Sequence, residues 1–221
     1  MNALHPNLSL PWLIADLQRP RRILSFAPYN PGFHTASYIL LREVRDADLL
    51  ADFDAEAWLG AQMAGIGHGG DVGMMTSRAL NRFRLERAGP VTCLATVGLG
   101  NAERVGQRRG AVVQGYGTIN LIISIDRGLS ETAMIEALTI AAQARTLAVL
   151  TAGVMLPSGL ATGTGTDCIA LACDPGKQVF AGLHTELGEA VGRAVHDAVL
   201  QGAREWVEGH GSSIRDNTGT R

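Results

Sequence analysis

The segment Ala161-Thr162-Gly163-Thr164-Gly165-Thr166-Asp167 alternates three hydroxyls with two glycines and ends on a carboxylate, immediately before an apolar run. In an extended chain this alternation sends the threonine side chains to one face and leaves the other open. Hydroxyls beside a carboxylate can bind a polar ligand or activate water. The same residues can instead close a tight turn, the hydroxyls capping backbone groups. The segment has no Gly-Lys-Ser ending and leads into a strand rather than a helix, so it is not a phosphate loop.

Three further segments carry polar groups at the ends of apolar runs. Ala95-Thr96-Val97-Gly98-Leu99-Gly100-Asn101-Ala102 fits the start of a dinucleotide fingerprint, but Glu103 stands where the third glycine belongs. Asn101 can both donate and accept, which suits amide recognition, or it can serve the turn alone. In Gly117-Thr118-Ile119-Asn120 the asparagine heads into Leu121-Ile122-Ile123, where an amide is costly unless hydrogen-bonded. Gly182-Leu183-His184-Thr185 precedes a helix with Thr185 as its natural cap. His184 there suits a general base, or is a surface loop residue.

Other chemistry has little support. His34, His68 and His184 show no HxxH or HxxxH spacing, so no metal site is expected, and His196 falls on the polar face of the last helix. Lys177 is the only lysine and sits in a turn-like Asp174-Pro175-Gly176-Lys177 stretch, which leaves a Schiff-base mechanism one solvated candidate. Cys93, Cys168 and Cys173 form no CxxC pair and read as buried free thiols. Arg78, Arg82, Arg84 and Arg87, echoed by Arg104, Arg108 and Arg109, read as a charged surface or as a dock for an anionic substrate group.

The 221 residues are 46% hydrophobic and 18% charged, which excludes a disordered chain or a coiled coil. Aromatics at 5% argue against a base-stacking platform or a carbohydrate groove, and a net charge of −2 supplies no field for nucleic acid. The apolar stretches look short for a membrane span. Met1 to Leu17 is interrupted by Pro6 and Pro11 and lacks a basic start, so the expectation is a soluble cytoplasmic protein without nucleic-acid or membrane partners. A homo-oligomer is left open.

The elements that must position these groups follow from periodicity. About twenty irregular residues are expected first, then strands at Arg22–Ala27 and Ser37–Val44. A helix with Ala55, Trp58, Leu59, Met63 and Ile66 recurring should start behind Asp52 or Asp54 and stop at Gly65–Gly70. Strands at Val72–Ser77, Val91–Val97, Gly117–Ile125 and Cys168–Cys173 come next, with a helix capped by Ser130 before the last of them. The final helix carries Leu187, Ala190, Val191, Ala194, Val195, Ala198, Val199 and Trp206 on one face, and residues 209–221 read as a flexible tail. Residues 21–208 thus form one α/β domain with a mixed sheet flanked by helices. Strand, helix, glycine-rich loop and strand occur twice, which reads as ordinary α/β alternation ahead of an internal pseudo-repeat.

Taken together, these motifs resemble the adenosylcobinamide amidohydrolase family of corrinoid salvage. The resemblance rests on six blocks in order between about Arg21 and Trp206: Ser25 to Asn30, Met75-Thr76, Ala95 to Ala102, Gly117 to Asn120, Ala161 to Asp167, and Ala181 to Gly188. Pro31, Ser77-Arg78 and Gln143 depart from it. The resemblance implies hydrolysis of the amide joining the corrin ring's propionate to its aminopropanol arm, giving adenosylcobyric acid, with some relatives also taking complete cobamides. It implies no cofactor; the cobalt-containing corrinoid is substrate. Thr164 or Thr166, or a water they position, would attack, with Asp167 or His184 as base. Ser25 and Thr76 are rival nucleophiles. Ser25, Asn30, Thr76, Asn101, Thr118, Asn120 and Thr162 would read the carboxamide-fringed disc. A corrinoid-binding protein without hydrolytic activity, and a hydrolase of some other amide, are the competing readings.

Overall fold

The computed structural model describes residues 4–45, 53–107 and 117–216. In chain order the elements are β1 (His5–Ser9), β2 (Trp12–Ser25), β3 (Gly32–Glu43), α1 (Ala55–Gly65), β4 (Val72–Thr76), β5 (Arg84–Ala88), β6 (Val91–Val97) and β7 (Ala102–Glu103). There follow β8 (Ile119–Leu129), α2 (Glu131–Ala152), β9 (Met155–Leu156), β10 (Gly159–Leu160), β11 (Gly163–Thr164), β12 (Cys168–Pro175) and α3 (Glu186–Asp216). The main sheet runs β4-β3-β2-β12-β8-β6-β5, with β1 on β2. Two of its pairs are parallel, β3 with β4 and β8 with β12, each joined through a helix. Beyond that shared succession the two units differ, since α1 has 11 residues and α2 has 22.

The sheet doubles back on itself. In β2 the register against β3 shifts between Asp16 and Arg21, so one strand serves two differently oriented halves. Leu13, Ile39, Leu41 and Met74 of one half share a core with Leu94, Ile122, Ala170 and Ala172 of the other. Strand alternation assigns the opposite faces. Leu121, Ile123, Ile125, Ile169 and Leu171 pack under α2 and α3, while Leu40 and Trp12 pack under Leu59 and Met63 of α1. The order of layers is therefore helices, sheet, sheet, helix. The inter-sheet space is closed at one end by Arg21, 1% exposed, whose Nη1 donates to Ser124 Oγ at 2.8 Å.

The helix starts follow the sequence. Asp54 accepts from Ala57 N, Ser130 from Ala133 N, and Thr185 Oγ1 from Gly188 N at 2.9 Å. Asp52 lies outside the described residues.

Several expectations need correction. The first twenty residues are not irregular: β1 and the start of β2 form a hairpin whose turn is Leu10-Pro11, since Ser9 pairs with Trp12. Pro6 fits because β1 is an edge strand, where a missing N–H costs no ladder bond. The final helix continues beyond residue 208 to Asp216, and His210 stacks on Trp206 at 4.4 Å. Arg84 and Arg87, part of the expected charged surface, lie in the edge strand β5. Finally, α2 is long and apolar enough to cross a bilayer by length and composition. Its buried flank, including Ala133, Met134, Ala137, Ala141 and Ala148, packs instead into the core that the sheet shares with α3.

Candidate active site

Register brings the polar segments together. Val97 at the end of β6 pairs with Ile119 at the start of β8, and Asn120 pairs with Cys168 at the start of β12. The turn after β6, the residues before β8 and the threonine-glycine loop before β12 therefore meet at one end of the sheet. Gly98 N donates to Thr118 O at 3.0 Å. A Cβ on Gly117 would lie 2.7 Å from Gly100 N, so this close approach requires glycine.

Asp167 is the centre of this end. Its side chain is 7% exposed. Thr164 Oγ1 donates to its Oδ1 at 2.5 Å and Thr164 N to its Oδ2 at 3.0 Å. Ile119 N donates to Oδ1 at 3.2 Å, and Arg145 Nη1 of α2 lies 3.0 Å from Oδ2. Burial pushes the Asp167 carboxyl above the usual carboxylate range; Arg145 and the hydrogen bonds from Thr164 and Ile119 pull the other way. The two readings of the loop meet in one arrangement: the carboxylate closes the turn, and it also holds the proton of a half-buried threonine hydroxyl. That is the relation a nucleophile bears to its base.

Other candidate residues surround this pair. Asn101 O accepts from Gly165 N at 3.0 Å, and its side-chain amide lies against Gly165 with no hydrogen bond of its own among the described residues. Thr118 Oγ1 donates to Thr166 O at 2.6 Å, and Thr166 is exposed. Thr162 Oγ1 accepts from Val105 N at 2.8 Å, a tie that holds the loop.

The remaining candidates stand behind or apart. Asn120, 1% exposed, donates to Met75 O at 3.1 Å and so binds the two sheet halves together. Thr76 is equally buried and accepts from Arg78 N. Ser25 is buried, its Oγ accepting from Ala27 N at 3.4 Å. Asn30, at φ 53°, donates to Asp71 O at 2.8 Å and anchors its own loop.

His184 is at the opposite end of the sheet. Its loop follows β12 and is tied to the start of α2 by Ala181 N on Glu136 Oε2, whereas Asp167 precedes β12. The strand between them, 8 residues, spans on the order of 25 Å. His184 is exposed, and Thr185 beside it caps α3.

Among the described residues, no three His, Cys, Asp or Glu side chains gather as a metal site. His68 Nδ1 pairs with Asp71 at 2.8 Å, and His34 reaches Gly70 O. The three cysteines are free and buried, with burial pushing Cys168 up to about 12. Arg78, Arg82 and Arg84 converge on Glu205 of α3, while Arg108 and Arg109 lie outside the described residues.

Two residues of this end escape a reading from sequence. Arg145 is the one basic residue of α2, and only that oddity could have marked it. Thr96 is fully buried, pairs in register with Asn120, and has no partner for its Oγ1 among the described residues.

Comparison with known proteins agrees with the motifs. The family model described as adenosylcobinamide amidohydrolase matches residues 3–211. A protein named adenosylcobinamide amidohydrolase from Halobacterium salinarum is 32% identical over 134 residues, which is 57% of this chain and 55% of that protein. The match thus spans about half the length of that relative.

Proposed function

Because the chain belongs to the adenosylcobinamide amidohydrolase family, we propose that it hydrolyses the amide between the corrin ring's propionate side chain and the aminopropanol arm of adenosylcobinamide. The products are adenosylcobyric acid and aminopropanol. The observation that carries the mechanism is the 2.5 Å hydrogen bond from Thr164 Oγ1 to Asp167 Oδ1. Thr164 Oγ adds to the amide carbon as its proton passes to Asp167. The carbonyl oxygen takes up negative charge, which the Asn101 side-chain amide stabilises. Asp167 then delivers the proton to the amine nitrogen as the C–N bond breaks. Water, deprotonated by Asp167, releases the acid and restores Thr164. Arg145 holds the second carboxylate oxygen and keeps the first aimed at the hydroxyl. His184 has no part in these steps, because its loop lies beyond the far end of β12.

The proposal extends to complete cobamides, which carry the same amide and continue from aminopropanol into a phosphodiester. Arg78, Arg82 and Arg84 share the single carboxylate of Glu205, so the group carries excess positive charge. Arg78 stands beside Gly98 at the same end of the sheet. The reaction is set in the cytoplasm, with which three free thiols are in keeping.

The test is incubation with adenosylcobinamide, following adenosylcobyric acid by chromatography, for the wild type and for Thr164→Ala, each with and without chelator. Product from the wild type alone supports the reading. Equal turnover by Thr164→Ala removes Thr164 as nucleophile. Tight binding without product, from the wild type, replaces hydrolysis by a corrinoid-binding role.

A further inference from the structure

Among the described residues, packing fills two approaches to Thr164. The face of β12, β8 and β6 toward the helices lies under α2 and α3, and the space between the two sheet halves is filled by core side chains. The lower part of β2 and β3 on the helix side is different. Leu24 pairs with Phe33 there, and Arg22 lies over the Phe33 ring at 5.0 Å from its centroid. Ser25 and Ala27 turn inward and are buried, so Phe26 between them turns out onto the same face as Leu24. Phe26 is 49% exposed and Phe33 is 41% exposed.

A wall stands beside this floor. Glu131, in the first turn of α2, accepts from Arg22, which directs one stripe of the helix toward β2. Continuing at helical spacing, that stripe carries Ile135, Leu138 and Ala142, and it ends at Arg145, the partner of Asp167. The groove is therefore closed at one end by the Arg22–Glu131 pair and opens at the other onto Asp167 and Thr164. Arg145 lies fourteen positions along the helix from Glu131, a length of about 21 Å.

We infer that this groove seats the flat face of the corrin macrocycle, with Phe26 and Phe33 as its floor and Ile135 as its wall. The inference rests on the function proposed above. The scissile amide hangs from the ring's edge by a short arm, so the ring must rest within an arm's length of Thr164. Ala170, three residues after Asp167, pairs with Ser25, so Phe26 stands toward the Asp167 end of the sheet. Exposed aromatic side chains on one face near a polar site are the usual composition of a ligand floor.

The test compares the wild type with Phe26→Ala/Phe33→Ala, both sites being solvent-exposed, and with the conservative Phe26→Leu/Phe33→Leu. Adenosylcobinamide binding is read from corrinoid absorbance after equilibrium dialysis, turnover by chromatography, and oligomeric state by sedimentation. The alanine pair is expected to raise Kd and KM about tenfold or more, with kcat within about twofold. The leucine pair falls between, and Ile66→Ala, equally exposed on the end of α1, changes neither constant. An active wild type whose Kd and KM survive the alanine pair overturns the groove and leaves the hydrolase standing. The same result accompanied by dissociation of an oligomer assigns the face to a second copy of the chain. A wild type that neither binds nor cleaves the corrinoid overturns both.

Discussion

The two ends of β12 carry similar local sequence and do different things. Each has a threonine near glycines, and in each the threonine hydroxyl hydrogen-bonds a group three residues further on. At the far end Thr185 caps α3 and the neighbouring His184 is exposed. At the near end Thr164 is bound to a buried carboxylate that a helix arginine also holds. Capping alone satisfies a helix; a buried charge with a shared hydroxyl proton can do chemistry. The difference lies in burial and in a long-range partner, neither of which is a property of the local motif.

The comparison breaks most readily at Asp167. Asp167→Asn keeps the shape and removes the base, so kcat should fall by about 10³-fold in the product assay. Retention of most of the rate would reduce the near end to a turn like the far one. Asn101→Ala should lower kcat by about 10²-fold with KM little changed, as loss of an oxyanion donor does.

Arg145→Ala tests the electrostatics. Because burial raises the Asp167 pKa and Arg145 opposes that rise, the acid limb of kcat/KM should already lie above the ordinary carboxylate range. Removing the arginine moves that limb to still higher pH, so activity is lost first in mildly acidic buffer. A limb that stays fixed across a pH–rate profile would separate Asp167 from catalysis. At the far end the effects are smaller and of another kind. Thr185→Ala should cost about 1 kcal/mol of stability, a fall in Tm of about 2–4 °C by calorimetry, at unchanged kcat. His184→Ala should change neither.

Much of this arrangement was legible in the residues themselves. The Thr-Gly alternation ending on Asp167 located the near end, the capping roles of Asp54, Ser130 and Thr185 came from local chemistry, and Asn120 had to find a hydrogen bond because of its apolar neighbours. Its acceptor, Met75 O, was not legible, since that contact depends on the sheet doubling back at the irregular register of β2. Arg145 was invisible for the same reason: its carboxylate lies beyond the end of the helix and a whole loop later. Pro6 and Pro11 looked like breakers because a proline's place on an edge strand or in a hairpin turn is known only once the pairing is. A low aromatic content correctly describes the chain as a whole, yet it says nothing about two exposed phenylalanines sharing one face.

The charge on α2 also bears on how the chain comes into being. As the polypeptide leaves the ribosome, this membrane-like stretch is complete at Ala152 while Asp167 still has fifteen residues to follow. At ordinary elongation rates that interval is about 1–3 s. For that time the ribosome exposes an oily helix bearing an unanswered guanidinium, a segment that a membrane-insertion machinery or a chaperone would be drawn to. Arrival of the carboxylate, with the strand that follows it, commits the helix to the protein's own interior.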